Sequence, residues 1–87
     1  MRITLQPNSK HFNFHGLDII ICDDAKWVAV NENGNINSFL EEPKPFDKYW
    51  SYLSGKHYDF GESTGFYVEF SKKETDSEFW KHSAIKV

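Results

Sequence analysis

The chain is poor in the residues that most often carry chemistry or staple a small fold. It has one cysteine, Cys22, so no internal disulfide can form, and no Cys/His cluster has the spacing of a structural zinc site. A fold without disulfides suits a reducing compartment. Arg2 is the one arginine among ten basic residues. Nucleic-acid binders usually show a basic face and use arginine for bidentate contacts, so nucleic acid is disfavoured as a partner. A net charge of −3 is also far too small an excess of carboxylates for a DNA mimic. No apolar run approaches the roughly 18 residues of a membrane span. The stretch Met1–Pro7 carries one positive charge with no long apolar segment after it, unlike a secretory leader. These absences predict a soluble, cytoplasmic protein with no membrane association.

Aromatic residues are abundant. Eight Phe, four Tyr and three Trp make up 17% of the 87 residues. A chain of this length forms one domain, 1–87, and the smallest domains bury only about 60% of their unfolded surface. Large rings let such a domain close a core, because each buried aromatic removes about 150–250 Å² from water. Charge is spread unevenly: residues 1–43 hold three basic and six acidic side chains, and residues 44–87 hold seven of each.

The hydrophobic pattern has mostly period two, broken by Gly, Asn, Asp and Pro, which is the signature of strands and turns. Strands are expected over Arg2–Gln6 and His11–Phe14, then after a His15-Gly16 turn over Leu17–Cys22. In that third run Leu17, Ile19 and Ile21 share one face and Ile20 and Cys22 the other, as in a central strand. Lys26–Val30 and Asn35–Leu40 flank Asn31-Glu32-Asn33-Gly34, a strong hairpin signal because Asn and Gly tolerate positive φ. Pro43 and Pro45 interrupt any central strand. Phe46, Tyr49, Trp50 and Leu53 then fall at i, i+3, i+4 and i+7, the spacing of one helical face. With Asp47 as N-cap and Gly55 at C′, this predicts a short helix near residues 47–54. Gly61–Gly65 reads as a loop, Phe66–Phe70 as a strand, Lys72–Glu78 as a polar loop and Phe79–Val87 as a last strand. The fold class is therefore mainly β, with α+β as the alternative: a small twisted antiparallel sheet or partly open barrel of five to seven short strands and at most one short helix.

Candidate chemistry is sparse. On a strand His11 and His15 would stand about 13 Å apart, too far for one zinc ion, and His57 and His82 are isolated. Ser51, Ser54, Ser63 and Ser83 offer no glycine-bracketed elbow. Asp23-Asp24 and Glu41-Glu42 read as solvated turn residues. Asn31-Glu32-Asn33-Gly34-Asn35 has oxygen side chains but lacks the acidic first ligands, sixth-position Gly and twelfth-position Glu of an EF-hand loop. Gly61–Gly65 lacks the Gly-Lys-Ser/Thr of a phosphate loop. Cys22, inside Ile19–Cys22, reads as a small buried hydrophobe, and Asp23 and Asp24 would raise rather than lower its pKa. No catalytic, cofactor or metal residue is therefore predicted, and the expectation is a non-enzyme.

Trp27 and Trp80 are read as core. The Phe46–Leu53 segment is different, because five of its eight residues are apolar or aromatic, more than one face of a short helix can bury. Phe46, Tyr49, Trp50 and Tyr52 are therefore candidate partner-binding residues, in keeping with the enrichment of Tyr and Trp at interface hot spots.

Trp27-Val28-Ala29-Val30-Asn31-Glu32-Asn33-Gly34, then Phe39, Pro43 and Trp50, and finally Trp80-Lys81-His82-Ser83-Ala84-Ile85, resemble a pattern found in small bacteriophage accessory proteins of mostly unassigned function. That pattern runs Trp, alternating strand, Asp-x-Asp-Gly-like turn, aromatic, Pro, Trp, and a terminal Trp-x-x-Ser-Leu-like strand. It covers residues 27–50 and 79–86 here, with Asn31 and Asn33 where Asp is common and Ala84-Ile85 as a looser ending. The resemblance implies a phage origin more than any activity. Given that origin, a short, aromatic-rich, non-enzymatic chain is expected to act in the host cytoplasm by binding a host protein, as an inhibitor of a host enzyme or defence complex of the anti-CRISPR or anti-restriction type. The alternatives are a nucleic-acid-binding β-domain and a small assembly protein that self-associates, for example as a homodimer.

Overall fold

The computed structural model describes residues 9–69 and 79–87. Among these the chain forms nine strands: β1 (Ser9–Phe14), β2 (Leu17–Cys22), β3 (Trp27–Val30), β4 (Asn35–Phe39), β5 (Lys44–Phe46), β6 (Tyr49–Ser54), β7 (His57–Asp59), β8 (Glu62–Tyr67) and β9 (Ile85–Lys86). A 3-10 turn at Phe79–His82 is the one helical element among them. The strands make three antiparallel sheets, β1-β2, β8-β4-β3-β9 and β5-β6-β7, and no barrel closes. Among the described residues no helix is long and apolar enough to cross a membrane. The expected strand over Arg2–Gln6 and the loop over Lys72–Glu78 lie outside the described residues, as does Phe70 at the end of the expected strand over Phe66–Phe70.

Local chemistry sets each hairpin. Phe14 pairs with Leu17, and the two residues between them, His15 and Gly16, take φ of 49° and 91°. Positive φ at both positions gives the right-twisted turn that antiparallel strands prefer. In the β3–β4 hairpin Val30 pairs with Ile36, Gly34 N–H donates to Asn31 O at 2.9 Å, and Asn33 Oδ1 accepts the Asn35 N–H at 3.0 Å. Gly34 is required there, because a Cβ at that position would run into the Val68 carbonyl.

The expected helix near residues 47–54 is not formed; β6 occupies that stretch. Asp47, with φ 57°, and Gly55, with φ 62°, sit in the two-residue loops that join Phe46 to Tyr49 and Ser54 to His57. Asp, by its local hydrogen bonding, and Gly, by its freedom at positive φ, serve helix ends and hairpin turns equally well. Leu17–Cys22 also differs from expectation. Its faces are as read, with Ile19 and Ile21 buried, but among the described residues it pairs with β1 alone and is not central.

Two further boundaries move. β8 begins at Glu62, inside the expected loop, because Asn37 and Ser38 of β4 pair with Ser63 and Glu62. A register irregularity between Asn35 and Asn37 then absorbs the residues around Gly65, as bulges do at sheet edges. The expected last strand over Phe79–Val87 is a 3-10 turn followed by the two-residue β9, since the Ser83 side chain folds back onto Trp80 O at 2.8 Å.

Side chains from all three sheets meet in one core, with Phe14, Ile19 and Ile21 from β1-β2, Val28, Val30, Ile36 and Phe39 from β3 and β4, and Trp50 and Tyr52 from β6. Each such side chain is worth roughly 1.5–3 kcal/mol of transfer free energy. Trp80 is buried in the same cluster and Trp27 packs half-buried against it. Buried polar groups tie the layers together. Asn31 Oδ1 accepts the Trp50 N–H at 2.9 Å, Trp50 Nε1–H donates to Trp80 O at 2.8 Å, and Ser83 Oγ accepts the Val30 N–H at 3.0 Å. Val30, Asn31, Trp50, Trp80 and Ser83 thus form one scaffold network.

Candidate functional site

In β6 Trp50 and Tyr52 turn to the core, while Tyr49 and Leu53 on the opposite face are exposed. Trp50 is 4% exposed and Tyr52 9%, whereas Phe46 is 58% and Tyr49 43% exposed. Of the four residues singled out from the sequence, two therefore serve the core. Trp50 is held by its indole hydrogen bond to Trp80 O, and Tyr52 Oη donates to Asp59 Oδ2 at 3.1 Å. Phe46 and Tyr49 stay on the surface.

The register adds residues that sequence reading missed. Phe46 lies opposite Tyr49 and Tyr58 opposite Leu53, and directly opposed residues leave an antiparallel sheet on one face. The Phe46 and Tyr58 rings stack with centroids 5.8 Å apart and planes 15° from parallel. Their strands flank β6, so the stack bridges the two edges of the sheet. Tyr49 meets Phe60 edge to face at 6.3 Å. Phe46, Tyr49, Leu53, Tyr58 and Phe60 are all exposed large hydrophobic residues; the first four stand on one sheet of three short strands, and Phe60, just after β7, joins them through Tyr49. Single exposed apolar residues are ordinary, but a contiguous aromatic face marks an interaction site. The signal available in the sequence was Ser54-Gly55-Lys56-His57: read as a two-residue hairpin, it places Tyr58 beside Leu53.

Three lysines border this face. Residues 44–60, which include all of its side chains, carry Lys44, Lys48, Lys56 and His57 against the carboxylates Asp47 and Asp59, in a chain of net charge −3. All of these but the half-buried Asp59 are exposed. Lys44 stands 3.8 Å from Glu42, an exposed pair of the kind that holds little free energy.

Elsewhere the chemistry is quiet. All four histidines are exposed. His11 pairs with Asp18 at 3.4 Å, and His15 Nε2–H donates to Ser83 O at 2.8 Å. That contact falls on the Ser83 carbonyl, while the Ser83 hydroxyl is spent on Val30 and Trp80, so the two do not form a nucleophile–base pair. Among the described residues no three His, Cys, Asp or Glu side chains come together to hold a metal ion. Asn31 and Asn33, the oxygen side chains of the Asn-Gly hairpin, spend Oδ1 on backbone N–H groups.

Cys22 is half-buried rather than enclosed, and lines a cavity of about 210 Å³ with Asp24, Phe39, Tyr52, Asp59 and Glu62 among its walls. Its Sγ–H donates to Glu62 Oε2 at 3.2 Å. That bond, then burial, then the charges of Glu62 and Asp24 push the thiol pKa up, so thiolate is disfavoured. Burial, followed by the hydrogen bond and charge of Asp59, raises the Tyr52 phenol in the same way. A second concavity, of about 380 Å³, is lined by Asn31, Asn33, Asn35 and Asn37 together with Tyr49 and Phe60. Comparison with family models, curated proteins and solved structures found no match to this chain.

Proposed function

We propose that this protein is a non-enzymatic binding module that docks the aromatic face of β5-β6-β7 onto a host protein with an acidic surface, as a phage-type accessory protein that inhibits a host enzyme or defence complex in the host cytoplasm. The observation that carries the reading is the exposed cluster Phe46, Tyr49, Leu53, Tyr58 and Phe60 bordered by Lys44, Lys48 and Lys56. An apolar centre with a charged rim is the anatomy of a protein interface. Inhibition by occupancy needs no catalytic group, only a complementary patch of about 800 Å² per partner with a few aromatic anchors. The lysine rim selects acidic partners and speeds encounter with them.

The same lysines beside a stacked aromatic pair favour one second reading, a single-stranded nucleic acid held by base stacking and backbone charge. The test is capture from host lysate with tagged protein, with and without nuclease, followed by reconstitution with the purified partner. The first reading expects one stoichiometric host protein that survives nuclease. It also expects the double variant Phe46→Ala/Tyr58→Ala, folded by circular dichroism, to bind that protein at least about 30-fold more weakly, the loss of one hot spot of 2 kcal/mol. Capture abolished by nuclease transfers the face to nucleic acid. Recovery of this chain alone, with a doubled mass in solution, transfers it to self-assembly.

A further inference from the structure

The concavity between β4 and the aromatic sheet is a second candidate binding site, and its lining defines its ligand. It is lined by Asn31, Asn33, Asn35 and Asn37 together with Tyr49 and Phe60. No charged residue lines it, so neither an anion nor a cation finds a counter-charge there. Carboxamides each offer two donors and an acceptor, and aromatic rings offer flat apolar surface.

The four amides are unequally occupied. Asn31 Oδ1 is spent on Trp50 N–H and Asn33 Oδ1 on Asn35 N–H. Asn37 Nδ2–H donates to Phe60 O at 3.0 Å. That carbonyl can only accept, which fixes the amide with its oxygen turned the other way. Asn37 Oδ1 is then buried without a hydrogen-bond partner, a condition that costs about 1–3 kcal/mol and marks a place where a donor is missing. Asn35 and Asn37 project from the same face of β4, and the register irregularity between them sits where sheets commonly re-aim side chains beside binding sites. The volume, about 380 Å³, falls in the range of small-ligand sites, which join apolar walls to a few placed polar groups.

We propose that this groove binds a neutral, hydroxyl-rich ring, a saccharide unit. One face of a pyranose is lined with C–H groups that lie against Tyr49 and Phe60. Its hydroxyls donate and accept at once, which matches the carboxamides of Asn33 and Asn35. The site is separate in chemistry from the lysine-rimmed docking face, although it shares Tyr49 and Phe60 with its edge.

The experiment is an amide-detected NMR titration of the full chain, following the Asn side-chain NH2 signals. The probes are methyl glycosides of glucose, galactose, mannose and N-acetylglucosamine, with adenosine as a neutral flat ring lacking the pyranose face. The expected result is saturable shifts confined to Asn33, Asn35, Asn37, Tyr49 and Phe60 with at least one glycoside. Asn35→Ala, at an exposed position outside the core, should weaken them about tenfold or more, while Phe46→Ala leaves them unchanged. No saturable shift at about 20 mM of any glycoside, well above the Kd of a millimolar site, overturns the proposal. So does a response to adenosine alone, or binding that survives Asn35→Ala undiminished. Because Phe46→Ala touches only the docking face and Asn35→Ala only the groove, failure of either reading leaves the other standing.

Discussion

Ser83→Ala tests the central structural argument. β9 pairs with β3 at Trp27 and Val28, so among the described residues no strand lies beside that edge of β3 beyond Val28. Ser83 Oγ takes the strand's place, accepting the Val30 N–H at 3.0 Å and donating to Trp80 O at 2.8 Å. Both Val30 and Ser83 are 0% exposed, so no solvent stands ready to replace the hydroxyl. Alanine leaves the Val30 N–H buried and unpaired, at a cost of about 1–3 kcal/mol. The loss at Trp80 O adds little, because Trp50 Nε1–H and Ser83 N–H still reach it. The net expectation is a destabilisation of about 2 kcal/mol. At about 4–8 °C per kcal/mol for a domain of this size, the melting temperature should drop by roughly 10 °C. Urea unfolding followed by tryptophan fluorescence reads it as a shift in midpoint with unchanged slope. His82→Ala, one residue away and exposed, serves as the control and should stay within about 0.5 kcal/mol. If Ser83→Ala behaves like His82→Ala, the side chain does not extend the ladder and the account of how this edge closes is wrong.

Three other perturbations carry defined expectations. Trp50→Ala removes a core ring and should cost about 3–5 kcal/mol, enough to leave much of the protein unfolded at 37 °C; a folded variant by near-UV dichroism would mean that Trp50 is not core. Gly34→Ala should destabilise more than Gly55→Ala. Both glycines have positive φ, but a Cβ at Gly34 collides with the Val68 carbonyl while one at Gly55 meets open space. The second change should cost about 1–2 kcal/mol, and equal melting points for the two would contradict the packing. Cys22 should react with iodoacetamide more slowly than a free thiol, with its pH profile displaced to higher pH, because its pKa is raised chiefly by the Glu62 hydrogen bond. A higher pKa means less thiolate at any given pH, so Glu62→Gln should move the profile back down; no movement would assign the shift to burial instead.

The parts legible from the sequence were those where one residue type has one use. Asn33-Gly34 between two β-prone runs has few roles besides a hairpin turn, and His15-Gly16 between Phe14 and Leu17 is nearly as plain. Phe46–Leu53 was not legible, because its spacing satisfies two periods. Phe46, Tyr49, Trp50 and Leu53 fit one helical face, yet as a strand the same residues put Tyr49 and Leu53 outside and Trp50 inside. Asp47 and Gly55 could not arbitrate, since caps and hairpin turns draw on the same residues. The candidate face suffered the same ambiguity. An aromatic excess was visible, but only the pairing register separates Phe46 and Tyr49 from Trp50 and Tyr52, and only the β6–β7 hairpin recruits Tyr58. The groove was hidden further, because β4 and Phe60 come together through the pairing of β4 with β8, which no local pattern announces.

The bond between Ser83 and Val30 spans 53 residues of chain, and that separation bears on how the domain assembles. β1-β2, β3-β4 and β5-β6-β7 are hairpins of near neighbours, which zip in microseconds. None of them can keep its apolar face dry alone. The segment carrying Trp80, Ser83 and β9 must return across most of the sequence before the Trp50 indole and the Val30 amide find their partners. Topologies dominated by such distant pairings fold in milliseconds to seconds. Until that return the edge of β3 stands open, with its amides free to template another chain. The nine residues of 79–87 are thus the latch that separates a set of quick, sticky hairpins from a closed molecule.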